Sequence, residues 1–291
     1  MKPEQPVRRR GFGAAVRRAA VFVLVLYAGW CGTLYFAQTA LLFPRGMMES
    51  APPEIDRPGD AEQWWVSAED GSRVEGWFVR GKGRDGTDPG PCVIWLHGNG
   101  EYIDDNMQAA RMYAEMGVSV LLPEYRGYGR STGTPSQRAI MEDLERFHGV
   151  LLERPEVDAR RIVYHGESIG TGFAAALAEK YPPRAMILNS PFLSLAGMAG
   201  RSLVPEFFVR SPLRSDEVLR HAVWPVLIFH GTHDRVVPVQ QGRALADLTP
   251  GATFVELECG HNDLPPDPIR YAGRVRAFLE SAGVLSGGNA R

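Results

Sequence analysis

Lysine is scarce in this chain: Lys2, Lys82 and Lys180 are the only three among 32 basic residues, which reads as a coding bias and not as function. Net charge is nearly absent too. The 32 basic residues stand against 34 acidic ones, a formal charge of −2, and that balance excludes the basic footprint of a nucleic-acid binder. Cysteine occurs three times, at Cys31, Cys92 and Cys259, in no metal-ligand spacing and no disulfide framework. Unpaired thiols and no metal site are expected. No internal repeat is found, so a repeat array is excluded.

The last absence is local. From Ala19 to Pro44 the chain runs for 26 residues without a charge. As a helix rising 1.5 Å per residue this stretch reaches about 39 Å, enough for a hydrocarbon core of ~30 Å. A cleavable signal has an apolar region of about 7–15 residues ending at an A-x-A-like site. Here the run is longer, no such site follows, and no cysteine sits in a lipoprotein-like context. The expectation is an uncleaved membrane anchor, with a cleaved signal and a buried soluble helix as the alternatives. Arg8, Arg9, Arg10, Arg17 and Arg18 precede the run and Arg45 follows it. That asymmetry predicts a cytoplasmic amino terminus and the bulk of the chain on the outer (periplasmic or extracytoplasmic) face. The chain divides into a basic tail (1–18), the anchor (19–44), a Pro-rich linker (45–60), one domain (61–283) and a flexible tail (284–291).

What is present supports a sizeable core: 44% of the 291 residues are apolar. EQWWVSA and RVEGWFV flank Glu69-Asp70-Gly71-Ser72 and read as a hairpin. Apolar, β-rich runs follow at 92–98, 118–127, 161–166, 185–191, 225–231 and 253–260. Helix-length segments near 102–116, 136–152, 169–181, 239–248 and 268–281 lie between most of them. Continuous apolar strands separated by helices predict an α/β fold with a mostly parallel sheet covered on both faces. The interval 193–224 reads as a small helical cap insertion.

The chemistry centres on RIVYHGESIGTG. Gly166, Ser168 and Gly170 form a G-x-S-x-G at the joint between a strand and a helix, the nucleophile elbow that exposes a hydroxyl on a strained turn. A serine needs a base, and the base an orienting carboxylate. His148 reads as buried, His97, His165 and His230 belong to strand ends, and His221 to the insertion. His261, in ECGHNDL after the last strand, is the predicted base; otherwise Asp263 beside it merely caps the next helix. Asp234, three residues past Gly231, is the predicted acid, with helix capping as its plainer alternative. The oxyanion hole needs two donors. The backbone amides of Asn99, in WLHGNGE, and Ile169 are the candidates. Tyr125, Arg126 and Tyr128 of PEYRGYGRS are read as loop packing beside the site, with contact to a substrate as the alternative.

LHGNGE (96–101), PEYRGYGRSTGTPS (123–136), GESIGTG (166–172), NSPFLSL (189–195), FHGTHDRVVP (229–238) and GHNDL (260–264) together resemble a serine α/β-hydrolase, and more narrowly the membrane-anchored Bem46-like group. The anchor ending in ALLFP resembles that group as well. The resemblance implies an eight-stranded, mostly parallel sheet and a triad of Ser168, Asp234 and His261, acting on acyl esters or thioesters with no metal or organic cofactor. Expected partners are a small-molecule or lipid acyl substrate and, through the anchor, a membrane. The insertion is short beside the lids of true lipases, so no bulky interfacial lid is expected.

Rival readings stand beside this one. A protein depalmitoylase shares the chemistry, but the outward topology puts cytoplasmic substrates out of reach. A peptidase is disfavoured because no carboxylate pair stands out to hold a substrate amine. A non-catalytic membrane scaffold would not need the triad. A dehalogenase would need a carboxylate at the elbow. Acyl length, head group and oligomeric state are not encoded in these motifs.

Overall fold

The computed structural model describes residues 10–45, 58–200 and 203–286. Its first element is a single helix, α1 (Arg10–Leu42). It starts inside the expected basic tail, where Ala14, Ala15, Arg17 and Arg18 are strong helix formers that outweigh Gly13. Gly13–Leu42 is long and apolar enough to cross a membrane. Residues 21–26 are each 54–63% exposed, so no face of this stretch rests on protein. Further on the helix leans on the domain: Cys31 is buried, and so is Phe43 just past its end. Residues 46–57, most of the expected linker, lie outside the described residues.

The sheet is built from β1 (Ala61–Ser67), β2 (Arg73–Val79), β3 (Gly90–Leu96), β4 (Ser119–Pro123), β5 (Val157–Glu167), β6 (Ala185–Asn189), β7 (Val226–Gly231) and β8 (Thr253–Leu257). Their order is β1-β2-β4-β3-β5-β6-β7-β8. β2 runs antiparallel to β1 and β4, the hairpin read from Asp70-Gly71, and all other pairs are parallel. The connecting helices are α2 (Met107–Glu115), α3 (Gln137–Leu152), α4 (Ile169–Lys180), α7 (Val239–Leu248) and α8 (Pro268–Ser281). The insertion carries α5 (Leu195–Ala199), a 3₁₀ turn at Glu206–Phe208 and α6 (Ser215–Leu219).

Central strands β3, β4 and β6 are buried at every residue, as a sheet covered on both faces requires. Two apolar layers result. One packs Phe147, Leu151, Phe173 and Leu177 against the sheet face of Ile94, Tyr164 and Met186; the other packs Tyr113, Tyr271, Val275 and Leu279 against Val93, Val163 and Ile187. Val284 and Leu285 are buried in the second layer. The flexible tail expected from residue 284 is therefore corrected: the apolar pair Val-Leu closes the core after α8. Residues 287–291 lie outside the described residues.

Candidate active site

β5 delivers the elbow. Ser168 sits between β5 and α4 with φ 48° and ψ −116°, a left-handed conformation that a side chain adopts only under strain. The flanking glycines are required by space. A Cβ on Gly166 would lie 2.6 Å from the carbonyl oxygen of Gly170, and one on Gly170 would lie 2.0 Å from that of Leu96. The turn is thus jammed between its own helix and the end of β3.

The structure brings Ser168, His261 and Asp234 together. Ser168 Oγ stands 2.9 Å from His261 Nε2, and His261 Nδ1 stands 2.6 Å from Asp234 Oδ2. Asp234 Oδ1 accepts from the amides of Val236 (2.9 Å) and Val237 (2.8 Å), which fixes the carboxylate plane. Burial works to raise the Asp234 carboxyl, but hydrogen bonds from His230, His261 and the Val237 amide outweigh it and hold the group well below the usual carboxylate range. The helix cap that was the alternative for Asp263 belongs instead to Asp267, which accepts from Ile269 N and Arg270 N.

Near the proposed oxyanion position, the Gly98 amide is taken by Glu101 Oε2 (3.1 Å) and the Ser168 amide by Asn189 O (2.9 Å). The next amides along each segment are those of Asn99 and Ile169. The PEYRGYG stretch buttresses this loop from below. His97 Nε2 meets Glu124 Oε1 at 2.9 Å, Tyr125 Oη donates to His97 O (2.8 Å), and Tyr128 Oη donates to Asn99 Oδ1 (2.8 Å). Arg126 is buried between Asp143 and Asp70, so it serves packing. The remaining histidines fall as their strands suggest. His165 is held by Tyr113 and Tyr271, and burial pushes it down to about 3; His148 stacks on Tyr181; His221 and His233 are exposed.

Comparison with known proteins decides the family. A family model described as "Serine aminopeptidase, S33" matches residues 87–215. The uncharacterized protein Rv2307c of Mycobacterium tuberculosis is 35% identical over 233 residues, covering 76% of this chain and 79% of that protein. The alpha/beta hydrolase domain-containing protein WAV2 of Arabidopsis thaliana is 30% identical over 68% of this chain and 71% of its own. Protein bem46 of Schizosaccharomyces pombe is 28% identical, covering 84% and 90%. The chain belongs to the Bem46-like α/β-hydrolases. Among solved structures, an esterase from Thermogutta terrifontis superposes on this hydrolase with a TM-score of 0.66 at 18% identity, covering 84% of the chain and 99% of the esterase. An esterase from Pyrococcus furiosus gives 0.63 at 19% identity, covering 81% and 97%. These two speak to the fold of the Bem46-like chain.

One feature of this hydrolase escaped the sequence reading and corrects it. Glu101 and Glu167 line the same cavity of about 430 Å³, with Asn189, Leu264 and Tyr271. A carboxylate pair does exist. Parallel pairing of Leu96 with Gly166 joins two segments remote in the chain, and no local spacing announces it. Burial, with Glu101 nearby, pushes the Glu167 carboxyl up to about 8. The folded state therefore keeps a proton on Glu167 that the unfolded chain loses near the ordinary carboxyl value. Stability is whole below that value and is lost as pH rises towards 8. Glu167→Gln removes the titration. Its melting temperature is expected to match wild type near pH 4 and to exceed it increasingly up to pH 8, as thermal denaturation across pH will read.

The Tyr128 hydroxyl offers a second check. Tyr128→Phe deletes one hydrogen bond to the Asn99 side chain, a loss of about 1 kcal/mol in positioning. About fivefold lower kcat with unchanged KM is expected in steady-state ester hydrolysis.

Proposed function

We propose that this chain is a membrane-anchored serine hydrolase that cleaves lipid-derived acyl esters or thioesters through an acyl-enzyme. The observation that carries the reading is the relay of Ser168 Oγ, His261 and Asp234, at 2.9 and 2.6 Å. Ser168 attacks the acyl carbon as His261 Nε2 takes its proton. Asp234 holds the Nδ1–H tautomer and stabilises the imidazolium. The amides of Asn99 and Ile169 receive the developing oxyanion. His261 then gives its proton to the leaving group, and water, deprotonated by the same ring, releases the acid.

Anchoring is supported by the bare apolar stretch at 21–26 and by contacts that tie the rest of α1 to the domain, which a discarded signal would not need. The arginines before the span support a domain on the outer face; protease protection of residues 50–291 in right-side-out vesicles would contradict that orientation. A fluorophosphonate probe is expected to modify the wild-type chain and not Ser168→Ala. Labelling of both, or of neither, sinks the reading.

One observation favours a second reading, hydrolysis of a substrate bearing an amine: Glu101 and Glu167 share one cavity, and Glu167 precedes Ser168 in the chain. Aminoacyl p-nitroanilides turned over faster than acyl esters, with the preference lost in Glu101→Gln, would favour it over the first.

A further inference from the structure

The cap does not merely cover the sheet; it is clipped to the membrane helix. Tyr27 Oη donates to Leu203 O (2.9 Å), and Gln38 uses both ends of its amide, donating to Phe208 O (3.2 Å) and accepting from Arg210 N (2.7 Å). Tyr35 meets the Phe208 ring edge-on at 6.1 Å. Tyr27, Tyr35 and Gln38 recur at helical spacing, so a single stripe of α1 faces the cap. Between the clips lies a cavity of about 280 Å³ walled by Leu34, Leu41 and Leu42 from α1 and by Leu195, Met198 and Val204 from the cap.

The level of this cavity in a bilayer follows from the helix. If the hydrocarbon begins beyond Arg18, ~30 Å of it spans about 20 residues and ends near Gln38. Leu203, bonded to Tyr27, then lies within the apolar layer. Its exposure fits that position: Leu203 is 74% exposed and Phe207 is 83% exposed, both on the cap edge beside the anchor. In water two such side chains are a liability, and in lipid they are a wedge. The cap wall is tied through the chain to the strand end that holds the nucleophile's amide. β6 ends at Asn189, whose carbonyl accepts from Ser168 N, and α5 begins six residues later. Phe192 on that connection stands 3.0 Å from where a Cβ on Gly172 of α4 would lie.

We propose that this anchor–cap cavity seats an acyl chain of a bilayer lipid, entering sideways from the membrane, so that the anchor is one wall of the substrate site. The inference rests on the anchored-hydrolase reading for its topology and extends it by naming the source of the substrate. Every lining group that reaches from both elements is apolar except the Gln38 amide and the Tyr35 hydroxyl, and the Gln38 amide is already satisfied by the cap backbone. A chain of methylenes needs no polar partner, whereas a head group would.

The test uses the full chain in lipid nanodiscs containing a phosphatidylcholine with a diazirine in one acyl chain. Photolysis is expected to place adducts on peptides spanning 34–42 and 195–209. Met198→Trp and, independently, Leu34→Trp fill the cavity; each is expected to cut these adducts at least tenfold. Each should also lower the ratio of kcat/KM for a palmitoyl over an acetyl p-nitrophenyl ester at least tenfold. Fluorophosphonate labelling of Ser168 should persist in both variants. Adducts elsewhere, adducts indifferent to both tryptophans, crosslinks only between two copies of the chain, or equal losses on both esters would overturn the proposal. Failure of the catalytic reading looks different: neither ester is hydrolysed and no label appears, while the cavity adducts persist.

Discussion

Ser168→Ala is expected to lower kcat on a short acyl ester by about 10⁵–10⁶, His261→Ala by a similar factor, and the double variant no further. The reason is that the two groups make one device. The hydroxyl donates to Nε2 across 2.9 Å, and without the ring it is an ordinary alcohol; without the hydroxyl the ring has no proton to take. Asp234→Asn is expected to cost about 10⁴. Here the geometry says which way the new amide will point. Oδ1 of residue 234 accepts from two backbone amides, Val236 and Val237, so the asparagine oxygen stays there and its NH₂ faces His261 Nδ1. The ring must then carry its proton on Nε2, where it cannot accept one from Ser168. Steady-state rates, normalised to the concentration of folded protein read by circular dichroism, check the series. Losses that multiply in the double variant would mean that Ser168 and His261 act separately.

Much of this was legible from the chain, for physical reasons that differ by element. α7 and α8 fall on 239–248 and 268–281 as the pattern predicts, because Pro238 and the Asp267-Pro268 pair mark their starts sharply. β5 begins earlier than the apolar run suggests, at Val157, because Asp158, Arg160 and Arg161 pair with one another at its exposed end and carry no apolar signal. The segment near 102–116 splits into a 3₁₀ turn at Ile103–Asn106 and then α2. The three members of the relay were readable because each follows a strand whose end is marked by glycine. What stayed hidden was set by contacts between distant segments. Glu101 and Glu167 come to line one cavity only through the register of β3 on β5, and the clips of Tyr27 and Gln38 on the cap leave no local pattern.

Gly170→Ala is expected to be the most destructive glycine-to-alanine substitution among the described residues. Its φ is not in the left-handed region, so the cost is one of space alone. The new methyl would lie 2.0 Å from Leu96 O, 2.6 Å from Leu96 C and 2.7 Å from His97 O. All three are backbone, and β3 is held by β4 on one side and β5 on the other. A strand clamped in this way cannot yield, so α4 has to withdraw. Overpacking a core usually costs about 1–3 kcal/mol; here more than 3 kcal/mol is expected, a fall of roughly 10 °C or more in melting temperature, or loss of soluble protein. Gly172→Ala is the control within the same helix, since its methyl would meet the tip of the Phe192 ring (3.0 Å), which can turn, and Leu213 Cβ (2.9 Å), on a cap segment outside the sheet that can give by a few tenths of an ångström. Differential scanning calorimetry of the two variants should separate them by several degrees. Activity should separate them further. Withdrawal of α4 carries the Ile169 amide away from that of Asn99, so whatever Gly170→Ala protein folds should hydrolyse esters at least tenfold more slowly per labelled serine. Gly172→Ala moves cap side chains instead, and its acetyl ester turnover should stay close to wild type.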